Sequence, residues 1–192
     1  MANNRWHKYC RCEGLLKMAF LCIKKYTCLK KGSRKEIVDI ILQSFTDDDI
    51  ELFIQWLNKD YIKKWYGNLE DWINEVKNRS GELNFINHFI VKYDEDKIGF
   101  CQYYDCYDAQ EEWYKVINKN EVYSIDYLIG EEEFLNKGFG KEIVKQLIDK
   151  VKTKGGKQII VQPEPENKAS NRVLTANGFI YDDDRECYFL KT

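Results

Sequence analysis

Residues 123–141 read YSIDYLIGEEEFLNKGFGK. The first part is rich in Tyr, Ile and Leu, which predicts a strand over residues 122–129 with Asp126 inside it. A short acidic loop follows. Asn136, Lys137, Gly138, Phe139, Gly140 and Lys141 then open a helix predicted over residues 141–154, where Ile143, Val144, Leu147, Ile148 and Val151 share one face. Glycines at a strand-to-helix junction let the main chain approach an anion closely. The N–H groups of a helix's first turn, with its dipole, favour a phosphate there. Lys137 and Lys141 add positive charge. The junction lacks the third glycine of the dinucleotide fingerprint and the Gly-Lys-Ser/Thr of the Walker loop.

Upstream, residues 37–45 read as a first strand, rich in Ile and Val. Thr46 followed by Asp47, Asp48 and Asp49 is a helix start, with a hydroxyl cap and then acids in the first turn. That helix runs to about Leu57, with Ile50, Phe53, Ile54 and Leu57 on one face. Residues 61–66 form a short aromatic segment, and residues 69–77 a second helix with Leu69, Trp72, Ile73 and Val76 on one side. Residues 85–93 and 98–104 are two strands joined by a turn at residues 94–97. Residues 105–120 read as a polar, aromatic-bearing insertion. Downstream, residues 158–162 read as a buried central strand. Residues 167–177 form a helix capped by Asn167, and residues 179–181 and 188–190 form final strands. This order predicts an α/β fold: a central mixed β-sheet flanked by helices on both faces.

The chain has 192 residues, 44% hydrophobic and 15% aromatic, with two Pro. That suffices for a real core and excludes fibrous or wholly disordered readings. The net charge of −2 is divided unevenly. Residues 1–35 carry ten Lys or Arg and one acid, and residues 36–192 carry 20 basic and 31 acidic residues. The first part is read as a basic, Cys-containing extension, disordered or with a helix around residues 14–26; the second is the folded domain. An acidic body favours cationic small molecules and repels nucleic acid. No apolar run is long enough to span a membrane. The apolar patch at residues 15–23 is broken by Lys17, unlike a signal peptide. The seven Cys fit no disulfide framework, so a reduced, cytoplasmic protein is expected. A zinc site from His7, Cys10, Cys12 and Cys22 lacks a matching second pair, and no metal is expected.

The loop at residues 135–140, Leu135-Asn136-Lys137-Gly138-Phe139-Gly140, resembles the acetyl-coenzyme A loop of the GNAT N-acetyltransferase superfamily, Arg/Gln-x-x-Gly-x-Gly/Ala. Leu135 stands where that family has Arg or Gln. Within the superfamily the chain is most similar to the aminoglycoside 6'-N-acetyltransferases. The similar segments are Trp56-Leu57-Asn58 with Trp65-Tyr66-Gly67, Ile98-Gly99-Phe100 with Gln102, Ile125-Asp126 with Ile129-Gly130-Glu131, the glycine loop, and Pro163-x-Pro165-x-Asn167 running to Asn177-Gly178-Phe179. They occur in the family's order from about residue 37 to 190.

The resemblance implies direct transfer of acetyl from coenzyme A to a primary amine. An ammonium must lose a proton before it attacks a thioester, and free alkyl amines hold theirs to about pH 10. Asp126 matches the family's strand aspartate and is the expected catalytic base. Leu128, Ile129, residues 136–141 (Asn136, Lys137, Gly138, Phe139, Gly140, Lys141) and Asn167 are the expected cofactor contacts. Trp65 and Tyr66 match the family's acceptor-side aromatic pair, and Glu111, Glu112 and Glu121 are candidates for a negative acceptor pocket. Two positions depart from the family. Leu174 stands where a Tyr able to protonate the departing thiolate is often found, and Gln162 where an acid often precedes the Pro-x-Pro stretch. The expected acceptor is a small polycation, first of all the 6' amine of an aminoglycoside. A protein, peptide or polyamine amine is the alternative, and a non-catalytic acyl-coenzyme A-binding domain the second class. A monomer or homodimer is expected, without nucleic acid or membrane partners.

Overall fold

The apolar periodicities resolve into seven strands and six α-helices in the computed structural model, which describes residues 39–192. In chain order they are β1 (Ile41–Ser44), α1 (Ile50–Leu57, entered through a 3-10 turn at Asp47–Asp49), α2 (Asp60–Lys63), α3 (Leu69–Lys77), β2 (Asn87–Tyr93), β3 (Asp96–Asp105), α4 (Cys106–Ala109), β4 (Val122–Ile129), α5 (Phe139–Thr153), β5 (Gln158–Val161), α6 (Lys168–Ala176), β6 (Ile180–Asp182) and β7 (Cys187–Lys191). The expected extension, its helix at residues 14–26 and the His7/Cys10/Cys12/Cys22 group lie outside the described residues. So do residues 37 and 38 of the first expected strand. The strand that remains is short because it is a sheet edge, with Ile41 exposed. Among the described residues no helix is long and apolar enough to cross a membrane.

The sheet order is β1-β2-β3-β4-β5-β7-β6. Only the β4–β5 pairing is parallel; the others are antiparallel. Side chains alternate across each strand, so β2, β3 and β4 feed two cores. Ile90, Phe100 and Leu128 pack with Phe53, Trp56 and Val76 of α1 and α3 on one face. Val91, Cys101, Ile125 and Ile159 pack with Ile143, Leu147 and Val151 of α5 and Leu174 of α6 on the other. Helices therefore cover both faces, as the element order predicts.

The first helix begins as its sequence dictates. Asp49 Oδ2 accepts from the Thr46 main-chain N–H at 2.7 Å and from its hydroxyl at 2.8 Å. Asp49 is fully buried, and its Oδ1 receives Lys97 Nζ at 2.6 Å, tying α1 to the start of β3. Removing one partner of a buried charged pair leaves the other uncompensated. Lys97→Met is therefore expected to lower unfolding free energy by about 2–3 kcal/mol, read by urea denaturation.

Two features of the sheet set up the site. First, β4 and β5 pair only at Val122–Gln158, Tyr123–Ile159 and Ser124–Ile160. Beyond Ser124, β4 runs on to Ile129 while β5 ends at Val161, so the strands part. Second, the far end of β4 is pinned. Gly130 lies flat against the Trp56 indole, where a Cβ would come within 2.2 Å of the ring. Trp56 Nε1 donates to Glu131 Oε1 at 2.7 Å, Lys59 Nζ to Gly130 O at 2.6 Å, and Tyr61 Oη to the same carbonyl at 2.7 Å.

Candidate active site

Asp126 lies on β4 just beyond the point where β5 parts from it. In register, His88 of β2 faces Gln102 of β3, and Gln102 faces Asp126. The three form a polar row across the α1/α3 face, next to the apolar row Ile90–Phe100–Leu128. Gln102 Nε2 donates to Asp126 Oδ2 at 3.0 Å. Gln102 is 1% exposed, and its Oε1 has no partner among the described residues. An orphaned buried acceptor costs about 1–3 kcal/mol. The amide sustains that cost to keep its N–H on the carboxylate. From α3, Glu75 Oε1 meets His88 Nε2 at 3.1 Å and adds negative charge above the row. Burial first, then the Glu75 charge, push Asp126 up from its ordinary 3.8 to about 7; the Gln102 hydrogen bond opposes this and Glu111 adds to it. Glu75→Gln is expected to lower that pKa and move the rising limb of the rate–pH profile to lower pH, because a like charge is removed.

Asp126 opens into a cavity of about 210 Å³. Trp65, Tyr66, Trp72, Tyr104 and Trp113 give it aromatic walls. Trp72 Nε1 donates to the Tyr66 carbonyl at 2.9 Å, and the two rings lie 4.8 Å apart. Glu111 is held on both oxygens, by Tyr104 Oη at 2.6 Å and Trp113 Nε1 at 2.8 Å. Glu111, Glu164 and Asp126 make the cavity acidic. Of the residues expected on the acceptor side, Trp65, Tyr66, Glu111 and Asp126 line it. Glu112 is exposed and is not among the lining residues. Glu164 stands in the wall two residues past Gln162, which also lines it, so the charge missing at Gln162 is present nearby.

Sequence reading passed over Trp72, Glu75, Tyr104 and Glu164 as site residues. Trp72 and Glu75 are three apart on α3 and so share a side, and Tyr104 is two beyond Gln102 on β3 and so shares its face. Those periodicities were available once Asp126 and Gln102 were placed.

Of the expected cofactor residues, Leu128 and Ile129 end β4, residues 136–141 follow it into α5, and Asn167 stands apart at the start of α6. Gly138 has φ +92° and caps α5, with Asn136 also at positive φ, +59°. The first turn of α5 leaves main-chain N–H groups without intrahelical partners. Phe139 is buried against Tyr93 and Phe134, so only its main chain can meet a phosphate. Leu128 is likewise buried, in the α1/α3 core. Ile129 packs on the α5 core, and Lys137 lies with its Nζ 5.9 Å from the Phe134 ring centre. Asn167 caps α6 through the Ser170 N–H at 3.1 Å and also lines the cavity.

Residues 39–180 match the acetyltransferase (GNAT) domain family, and the chain belongs to it. Over 166 residues it is 23% identical to the aminoglycoside N(6')-acetyltransferase type 1 of Klebsiella pneumoniae, covering 83% of this chain and 81% of that one. The enzyme of the same name from Serratia marcescens matches equally. Among solved structures, aminoglycoside acetyltransferase AAC(6')-Ib in complex with coenzyme A superposes with a TM-score of 0.69 at 22% identity, over 80% of this chain and 95% of that one. Its complex with coenzyme A and kanamycin gives 0.68 at 21% identity, over 80% and 95%. The acetyl donor of the family, acetyl-coenzyme A, fits two features of this chain. The N–H groups at residues 138–141 suit its pyrophosphate, and the edge of β4 that β5 leaves open suits its amides.

Proposed function

We propose that this chain acetylates a primary amine of a small polycation, and that the acceptor is the 6' amine of an aminoglycoside. The observation that carries the reading is the acidic, aromatic-walled cavity lined by Asp126, placed where β4 and β5 part. Aromatic faces cover the apolar sides of sugar rings and hold cations. Glu111 and Glu164 attract further ammonium groups, and Asp126 binds the one that reacts. The relatives from Klebsiella pneumoniae and Serratia marcescens bear the name of the same reaction.

In this reading Asp126 acts in its ionised form. It accepts a proton from the substrate ammonium, and the freed amine attacks the acetyl carbonyl presented through the parted strands. A carboxylate raised to about 7 is a far better base than an ordinary one. Gln102 holds its Oδ2, leaving Oδ1 for the amine. Acetyl-coenzyme A supplies the activated acyl group, held by the loop at residues 136–141. That co-substrate is made inside cells, so the reading places the enzyme in the cytoplasm.

The test is thiol release from acetyl-coenzyme A with a panel of acceptors. Release with kanamycin-type compounds that carry a 6' amine, and none with 6'-hydroxy counterparts, is expected. Release with peptides or polyamines alone would overturn the aminoglycoside assignment.

A further inference from the structure

We infer that Tyr127 is the hydrogen-bond donor to the sulfur that leaves, and so a catalytic residue on the opposite side of β4 from Asp126. The inference rests on the acetyl-transfer reading above and names the second half of its chemistry.

Adjacent residues of a strand point to opposite faces. Asp126 belongs to the α1/α3 face, with Gln102 and the acceptor walls. Tyr127 belongs to the α5/α6 face, packed against that core. Within a fully paired stretch the sheet itself separates two such neighbours. Here β5 has parted from β4 by Ser124, and both side chains line one cavity. The reacting carbonyl is thus flanked by a carboxylate on the acceptor side and a phenol on the side of the phosphate loop.

The phenol is positioned. Tyr127 Oη lies 2.8 Å from Ser170 Oγ, on the first turn of α6, where either hydroxyl can donate; with Ser170 donating, the phenol proton is free to leave its long 3.4 Å contact to the Ser170 carbonyl for the sulfur. Ser170 and Asn167 line the same cavity, so the hydroxyl pair sits at its edge. Burial, with the nearby Asp126 charge, raises the Tyr127 hydroxyl above its usual range despite the Ser170 hydrogen bond. It therefore stays protonated and serves as a donor at every working pH. One turn along α6 from Ser170, Leu174 is fully buried in the core and offers no donor.

The bookkeeping closes. The amine nitrogen forms a bond to the carbonyl carbon, and the carbon–sulfur bond breaks with its electron pair on sulfur. Tyr127 donates a hydrogen bond to that thiolate and keeps its proton. The amide nitrogen sheds its surplus proton to solvent, Asp126 returns to solvent the proton it took from the ammonium, and the thiolate takes one from solvent to leave as the thiol.

The experiment compares coenzyme A with desulfo-coenzyme A on wild type and Tyr127→Phe, by calorimetry at about pH 10, above the usual thiol range. Loss of one charged hydrogen bond predicts about tenfold weaker coenzyme A binding in the variant, with desulfo-coenzyme A unchanged. Its kcat for acetyl transfer is expected to fall about 10²-fold. Equal weakening for both ligands would assign Tyr127 to packing and overturn the inference, as would no change for either. A wild-type chain that binds neither ligand would overturn the acetyl-transfer reading itself, and this inference with it.

Discussion

Asp126→Asn is expected to lower kcat/KM for amine acetylation by about 10²–10⁴-fold, the range usual for a lost general base, while acetyl-coenzyme A binds as tightly as before. The amide keeps the shape and can still face Gln102, but it cannot take a proton. In wild type the rate should rise with pH through about 7, where Asp126 ionises. The variant should lose that limb from what activity remains. A wild-type profile flat from pH 5 to 9 would remove Asp126 from the role.

The same substitution should stabilise the fold, and the sign follows from proton linkage. The folded chain holds a proton on Asp126 up to about 7, the unfolded chain only to about 3.8. Between those values the folded state binds more protons, so rising pH costs stability. Below that window the carboxyl is neutral in both states. Above it the full cost of an ionised, buried carboxylate is present. Thermal unfolding of Asp126→Asn should therefore match wild type near pH 4 and exceed it at pH 8. Sites that gain stability when chemistry is removed are common among enzymes.

The second large effect concerns Gly130. A Cβ there would come within 2.2–2.4 Å of three Trp56 indole atoms. Trp56 is 0% exposed and anchored by its hydrogen bond to Glu131, so it has nowhere to move. Gly130→Ala is expected to cost about 3 kcal/mol, the upper part of the overpacking range. For a domain of this size that lowers Tm by roughly 6–12 °C. Because Gly130 directly follows β4, ahead of the loop proposed to hold acetyl-coenzyme A, KM for acetyl-coenzyme A should rise in whatever fraction stays folded. A Tm within 2 °C of wild type would mean that the strand end shifts freely.

Much of the fold was legible in the sequence. Strong periodicity located α3 at Leu69–Lys77 and β4 at Val122–Ile129 to the residue. The cap at Thr46 was read from its hydroxyl and the acids that follow, though the buried partner of Asp49, Lys97, lies 48 residues away and leaves no local mark. The four-residue helices at Asp60–Lys63 and Cys106–Ala109 were missed, being too short for a period to register.

The site divides in the same way. Asp126 stood out as an acid inside an apolar strand, a conflict that a strand tolerates only for a reason. Which glutamate faces it was not legible. Glu111 and Glu112 are neighbours on an irregular connection with no fixed side-chain direction. The choice falls to Tyr104 and Trp113, whose O–H and N–H both hold Glu111. Leu128 and Phe139 were expected at the cofactor, but only the packing of the two cores reveals that their side chains turn inward.

The connection from Cys106 to Glu121 is inserted between two strands of the central sheet, and it alone brings Glu111 and Trp113 to the cavity. Asp126 and Gln102 belong to the sheet, and the glycine loop at residues 136–141 leads into α5. Residues can be gained or lost in that connection without shifting the register of β3 against β4. A lineage carrying this fold can thus change what the cavity admits by rewriting a surface loop, with the row of His88, Gln102 and Asp126 untouched. The shape of the cavity mouth and the polar row beneath it are then free to evolve at different speeds.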